Sequence, residues 1–187
     1  MEKVGVLALQ GSFAEHLAIL RIIPGIEPIE VKTIAQLEAV DRLIIPGGES
    51  TAIGKLLRKT GMMPILQKRI EEGLAVWGTC AGLILLAKNI VGEEPYLDAI
   101  DITVKRNAYG SQLDSFSCEQ IIPAISAKPI HLVFIRAPWI ESVGPKVEVL
   151  AERDGRIIAA KQGRLLATSF HPELTQDTSV YEYFLKL

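Results

Sequence analysis

The residue with the clearest chemistry is Cys80, in Gly78-Thr79-Cys80-Ala81-Gly82. It sits where an apolar run short enough for a buried strand (residues 74–77) passes into one suited to a helix (residues 83–86). This is the cysteine form of a nucleophile elbow, a strand-to-helix turn so sharp that bulky flanking residues would strike the neighbouring chain. The turn also sets the sulfur at a helix N-terminus, whose partial positive charge favours thiolate over thiol. A cysteine that merely packs between two elements has the same local sequence, so the motif needs partners.

A thiolate that expels an amine requires a general base and acid, usually histidine. The chain has three histidines. His16 falls within a helical stretch and His131 within an aliphatic strand-like run, and both read as structural or surface side chains. His171 stands directly after a strand-like run, in Ser169-Phe170-His171-Pro172-Glu173-Leu174. Pro172 is expected to keep the segment extended, so that His171 and Glu173 project the same way and the carboxylate orients the imidazole. A surface turn is the alternative. In Pro46-Gly47-Gly48-Glu49, the glycine pair lets backbone N–H groups point into a cavity, as an oxyanion hole requires. A plain turn fits too, and a phosphate loop is disfavoured because no Lys-Ser/Thr closes it. Cys118 lacks small neighbours and reads as core or surface.

The elements that must position these residues follow from periodicity and breakers. Strands are expected at residues 4–9, 26–31, 42–45 and 74–77, with helices at 13–22, 34–40, 52–59 and 64–72. Ser12 with Glu15, and Thr33 with Gln36, are capping-box pairs. Alternating strands and helices joined by short loops argue for an open, mostly parallel sheet with helices on both faces. Its active site would lie beyond the C-terminal strand ends. From residue 100 the character changes. Strand-like runs at 100–105, 115–122, 130–135, 147–153, 156–161 and 165–170 follow, with turn signals at Asp154-Gly155 and Gln162-Gly163. An added antiparallel section is expected, then a short terminal helix at 180–187.

The 187 residues suffice for one core, and no internal boundary suggests a second domain, so residues 1–187 read as one unit. Hydrophobic residues make up 49% of the chain and aromatic residues only 6%, an aliphatic bias suited to strands buried on both faces. The net charge of −2 leaves no electrostatic footprint for nucleic acid or an anionic membrane. No apolar run reaches the ~18 residues of a membrane span. The N-terminal residues lack a signal-peptide layout, so a cytoplasmic protein with reduced thiols is expected.

Together, Pro46-Gly47-Gly48-Glu49-Ser50-Thr51, Gly78-Thr79-Cys80-Ala81-Gly82 and His171-Pro172-Glu173 resemble the class I (triad) glutamine amidotransferases. Within that class, four segments resemble the family of glutaminase subunits of pyridoxal 5′-phosphate synthases. They are Leu7-Ala8-Leu9-Gln10-Gly11, Gly47-Gly48-Glu49-Ser50-Thr51, Arg106-Asn107-Ala108-Tyr109-Gly110 and Phe134-Ile135-Arg136-Ala137-Pro138. Ser111 departs from the family pattern, where a basic residue is expected.

The resemblance implies a flavodoxin-like α/β fold and hydrolysis of L-glutamine to glutamate and ammonia through a Cys80–His171–Glu173 triad. It implies an oxyanion hole at Gly48 and Ala81, and substrate held by Gly47, Gly48, Glu49, Arg106, Ile135 and Arg136. No cofactor or metal is implied. The chain has no room for an ammonia-consuming synthase, so a partner is expected. The family supplies one, the subunit that builds pyridoxal 5′-phosphate from ribose 5-phosphate and glyceraldehyde 3-phosphate. Gln10, beside the site, is the candidate for coupling the two proteins. A glutaminase of another pathway, a cysteine hydrolase, or a non-catalytic docking module are the competing readings.

Overall fold

A computed structural model of the chain describes residues 1–106 and 115–187. The segment Asn107-Ala108-Tyr109-Gly110, and Ser111 with it, therefore lies outside the described residues.

The first half winds as expected: β1 (Glu2–Leu7), α1 (Phe13–Ile22), β2 (Ile26–Val31), α2 (Ile34–Ala39), β3 (Arg42–Ile45), α3 (Ser50–Lys59), α4 (Met62–Glu71), β4 (Ala75–Thr79) and α5 (Ala81–Leu86). The second half adds β5 (Ala87–Ile90), β6 (Ile100–Lys105), β7 (Phe116–Ile122), β8 (Ser126–Phe134), β9 (Trp139–Val143), β10 (Glu148–Arg153), β11 (Arg156–Gln162) and β12 (Leu165–Thr168). A 3-10 turn (Pro172–Leu174) and α6 (Ser179–Phe184) close the chain.

One sheet runs in the order β2-β1-β3-β4-β12-β11-β9-β6-β5, with β10 paired to β11. From β2 to β12 every pairing is parallel. β11 then pairs antiparallel with β12, β10 and β9. The central strands β3, β4 and β12 are buried along their whole length, as parallel strands covered on both faces must be.

Alternation along these strands feeds two cores. Leu43, Ile45 and Val76 face α2 to α5, while Ile44, Ala75 and Trp77 face α1, α6 and β8. Because β1, β3, β4 and β12 run the same way, the loops after them emerge on one edge of the sheet. Those loops carry Gln10, Gly47, Cys80 and His171.

Four local expectations are corrected. Thr33 and Gln36 do form a capping box, but Ser12 makes no side-chain cap on α1. Its hydroxyl is drawn instead to the Glu173 carboxylate, 2.7 Å away, because a buried charge is the stronger acceptor. The runs near 115–122 and 130–135 leave the main sheet and pair only with each other, as the separate hairpin β7–β8. β5 and β9 were not foreseen. β5 is four residues with Lys88 and Asn89 at its centre and carries no strand signature, whereas β9 has strand-favouring Trp139, Ile140 and Val143 but is short and follows Pro138 directly. Finally, Pro172 opens a 3-10 turn and does not extend the chain.

Candidate active site

Cys80 closes β4 and opens α5 with φ +49° and ψ −101°, a conformation rare for any residue but glycine. Its N–H donates to the Thr168 carbonyl on β12 (2.8 Å), which anchors the turn between two central strands. The flanking glycines are sterically required. A Cβ on Gly78 would strike the Gly82 carbonyl, and one on Gly82 would strike the Ile45 carbonyl. The elbow read from sequence is therefore present with its expected cause.

His171 arrives after β12, its N–H donating to the Val133 carbonyl (2.8 Å). Nδ1 of the ring lies 2.7 Å from Glu173 Oε1. The turn beginning at Pro172 brings the two side chains together by folding the backbone between them. Nε2 is thus the nitrogen left for chemistry. It is buried and makes no hydrogen bond among the described residues. The ring is walled on another side by Gly47, where a Cβ would stand 2.5 Å from His171 Cε1 and 3.5 Å from Cys80 Cβ. Glycine at 47 is what lets the β3–α3 loop close on the nucleophile and base.

Burial would lower the His171 pKa, but interaction with the Cys80 sulfur and with Glu173 outweighs it and raises it to about 10. Burial likewise pushes the Glu173 carboxyl up. The His16 and His171 rings and the Ser12 hydroxyl hold it down, at about 2. The pair is therefore imidazolium and carboxylate at neutral pH.

A cavity of about 280 Å³ opens over Cys80. Its lining includes Gln10, Gly48, Glu49, Ala81, Arg106, Ile135, Arg136 and His171. Arg106 is committed to Glu93, with Nε 2.6 Å from Oε1 and Nη2 donating to Oε2 at 3.0 Å. Its Nη2 also reaches Thr51 Oγ1 (3.1 Å). Arg136 is exposed, has φ +43°, and pairs with no carboxylate among the described residues. Gln10 Oε1 accepts from the Glu49 N–H (2.8 Å), so the loops after β1 and β3 are tied at the cavity's rim. The Gly47 carbonyl accepts from Ser12 N–H (3.0 Å) on the same seam.

Of the predicted site residues, the structure gathers Gln10, Gly48, Glu49, Cys80, Ala81, Arg106, Ile135, Arg136 and His171 around one cavity. Gly47 and Glu173 stand directly behind them. Among the described residues no group of three or more His, Cys, Asp or Glu could hold a metal ion. His131 is exposed and sits 2.6 Å from Glu119 on the hairpin, and Cys118 is half-buried there, both remote in sequence from the triad. Ser12 and His16 were not singled out as site residues. Ser12 resembled a helix cap and His16 a structural or surface side chain, whereas both meet Glu173.

A family model described as the SNO glutamine amidotransferase family matches residues 6–187. The chain belongs to the SNO glutamine amidotransferase family. A relative in Caldanaerobacter subterraneus subsp. tengcongensis, named pyridoxal 5′-phosphate synthase subunit PdxT, is 56% identical over 186 residues, covering 99% of this chain and 98% of its own. A solved structure described as a glutamine amidotransferase superposes with a TM-score of 0.92 at 49% identity, over 98% of this chain and 97% of that one. A structure of PurLQS from Thermotoga maritima, at 16% identity and a TM-score of 0.67, covers 99% of this chain and 97% of that one. It shares the fold alone. The SNO family membership and the open parallel sheet with its antiparallel extension agree with the reading from sequence.

Proposed function

We propose that this protein is the glutaminase subunit of a pyridoxal 5′-phosphate synthase. It would hydrolyse L-glutamine at Cys80 and hand the ammonia to a synthase partner. The observation that carries the reading is the Cys80 elbow facing a histidine whose other nitrogen is held by a buried carboxylate. The 56% identity to the Caldanaerobacter PdxT protein over nearly the whole chain supports the pathway.

The Cys80 sulfur attacks the side-chain amide carbon of glutamine. The oxyanion takes hydrogen bonds from the Gly48 and Ala81 N–H groups. Ala81 opens α5, so its N–H has no acceptor within the helix. The Gly47 carbonyl is held by Ser12, and a trans peptide then sends the Gly48 N–H the opposite way. The His171 Nε2–H protonates the leaving nitrogen as the C–N bond breaks, giving ammonia and a glutamyl thioester. The now neutral His171 takes a proton from water, whose oxygen attacks the thioester. Glutamate leaves and the sulfur is freed. Glu173 keeps the imidazole oriented throughout.

For the substrate's α-carboxylate, Arg136 is the direct ligand and Arg106 a supporting one, because the Arg106 charge is already answered by Glu93. Glu49 supplies the carboxylate for the α-ammonium group. Gly47, Gly48 and Ile135 shape the walls. Losing a charge-assisted contact of about 1.5–3 kcal/mol raises KM about ten- to a hundredfold. Arg136→Met is therefore expected to raise the glutamine KM by that factor, and Arg106→Met by several-fold less. Steady-state glutamate release checks it, and an Arg106→Met effect larger than that of Arg136→Met reverses the assignment.

Ammonia released into neutral water is protonated and lost as a nucleophile, so a covered path to an acceptor is needed. Two exposed apolar side chains, Ile135 at the cavity and Leu174 next to Glu173, are suited to contact with a covering partner. Gln10, which ties the Glu49 N–H at the rim, is the residue through which docking would act on the oxyanion hole. The test is glutamate release by this chain alone and mixed with the synthase subunit, for wild type and Gln10→Ala. Activity is expected to rise on mixing, and to rise much less for Gln10→Ala. No activity in a mixture shown to bind overturns the glutaminase reading, and equal stimulation of the variant removes Gln10 from the coupling.

A further inference from the structure

His16 lies on α1 and is fully buried, yet nothing in the triad chemistry calls for it. Three elements meet around its ring. The Tyr181 hydroxyl on α6 is 2.7 Å from Nδ1. Thr79 Oγ1, at the end of β4, is 3.2 Å from Nε2. Glu173 Oε2 is 3.5 Å from the same nitrogen. The Trp77 and Tyr181 rings pack against the imidazole, with centroids 5.8 and 5.7 Å away. The carboxylate of Glu173 is wholly buried. Its Oε1 takes bonds from Ser12 and His171, while Oε2 has no hydrogen bond of regular geometry among the described residues. A buried carboxylate oxygen facing a ring nitrogen at that distance is stabilised only when the nitrogen bears a hydrogen.

We propose that His16 is a positioning residue of the catalytic network: its Nε2–H faces the second oxygen of Glu173, and the Tyr181 hydroxyl fixes that tautomer by donating to Nδ1. The inference rests on the glutaminase reading for its kinetic consequence, but not for its structural one.

Charge supports the same tautomer. Burial lowers the His16 pKa to about 4 despite the pull of Glu173 and of Glu15 on its own helix, and His171 adds to the lowering. The ring is thus neutral when the enzyme works, with one N–H to place. Burial and the nearby Glu173 charge push the Tyr181 hydroxyl far above its usual range, so it keeps its proton and can donate. Glu173 Oε2 can only accept, so the N–H belongs on Nε2, the nitrogen facing Thr79 and Glu173, and Nδ1 is left to accept from the Tyr181 hydroxyl. The C-terminal helix is in this way connected to the base of the active site, through a tyrosine that lies outside the cavity.

The test combines a spectroscopic and a kinetic measurement. In protein labelled with ¹⁵N and ¹³C histidine, three ring systems are present, and each loses its signal in the corresponding variant. His16 is expected as the Nε2–H tautomer, uncharged down to about pH 4. His16→Leu removes the donor while keeping an apolar filling. His16→Gln keeps an N–H donor near the Nε2 position. The titration midpoint of His171 is expected to rise in His16→Leu, because the carboxylate that loses a donor on Oε2 becomes the stronger acceptor for the imidazolium, and to stay close to wild type in His16→Gln.

With the synthase present, His16→Leu should lower kcat about ten- to a hundredfold, by analogy with the loss found when an outer-shell hydrogen-bond partner of a metal ligand is removed. KM should stay within about twofold, since His16 does not line the cavity, and His16→Gln should recover most of kcat. Tyr181→Phe, which keeps the ring packing, should mix the His16 tautomers and lower kcat by a smaller factor. An Nδ1–H tautomer in wild type overturns the proposal. So does a His16→Gln variant as impaired as His16→Leu, since only packing would then matter. Should His16→Leu fail to fold, the wild-type tautomer and the Tyr181→Phe arm still decide. An inactive wild type whose His16 shows the Nε2–H tautomer refutes the glutaminase reading and leaves this one standing.

Discussion

Cys80→Ala is expected to abolish glutamine hydrolysis, with kcat falling about a millionfold, as when the nucleophile of a hydrolytic triad is removed. No second thiol can substitute, because Cys118 lies on the β7–β8 hairpin and not on the cavity. Cys80→Ser should be nearly as inactive. The raised pKa of His171 comes in part from the sulfur. A hydroxyl that stays protonated neither holds the imidazolium nor supplies an anion to attack, so the acid for the leaving ammonia and the nucleophile disappear together.

Both variants are expected to fold, because Cys80 owes its φ of +49° to the elbow and a new β-substituent meets the same strain. Glutamate release in the presence of the synthase is the assay, with thermal melting beside it. A Cys80→Ala protein that melts like wild type and retains a tenth of its activity would place the nucleophile elsewhere.

How far the sequence led depended on whether the information was local. Strands β2, β3 and β6 and helix α1 were readable to the residue, because apolar runs there end at Pro, Gly or a polar turn. The elbow was readable because its glycines answer a steric need, visible here as the clashes of a Cβ at 78 or 82 with backbone carbonyls. The His171–Glu173 pair was found for a partly wrong reason: spacing by two suggested extension, whereas a 3-10 turn makes the contact.

What stayed hidden was long-range. Ser12 carries a helix-cap pattern, and nothing in residues 12–15 reveals a carboxylate 161 positions later that takes its hydroxyl. His16 and Tyr181 are 165 positions apart and become partners only because α1 and α6 cover the same face of the sheet. The different pairing of Arg106 and Arg136, on which their proposed division of labour rests, was equally illegible, since it depends on Glu93 reaching the first and not the second.

Glu173→Gln carries the second large expectation, a loss in kcat of about 10⁴, the scale found when a triad carboxylate becomes an amide. Around this carboxylate stand the Ser12 hydroxyl, the His171 Nδ1 and the His16 Nε2, all arranged to give hydrogen to an acceptor. An amide has only one acceptor oxygen. Whichever way it turns, its NH2 faces one of these donors or forces His171 into the tautomer with hydrogen on Nε2 and none on Nδ1.

Losing the negative charge also lowers His171 from about 10. The alkaline limb of kcat, set by deprotonation of the imidazolium that protonates ammonia, should therefore move to lower pH. Stability shifts with its own sign. Glu173 is depressed from 4.5 to about 2, so its contribution is present above pH 4.5 and lost as pH falls through about 2. His171 is raised from 6.5, so its contribution is present below pH 6.5 and lost as pH rises through about 10. The His171–Glu173 bond enters both shifts and counts once, while Cys80 separately raises His171 and the His16 ring separately depresses Glu173. Glu173→Gln should accordingly cost most stability between about pH 4.5 and 6.5, and the gap from wild type should narrow in strong acid and strong base. Melting curves across pH, set beside the kcat profile, check both limbs. An unchanged alkaline limb would mean that Glu173 holds the imidazole in place without tuning its charge.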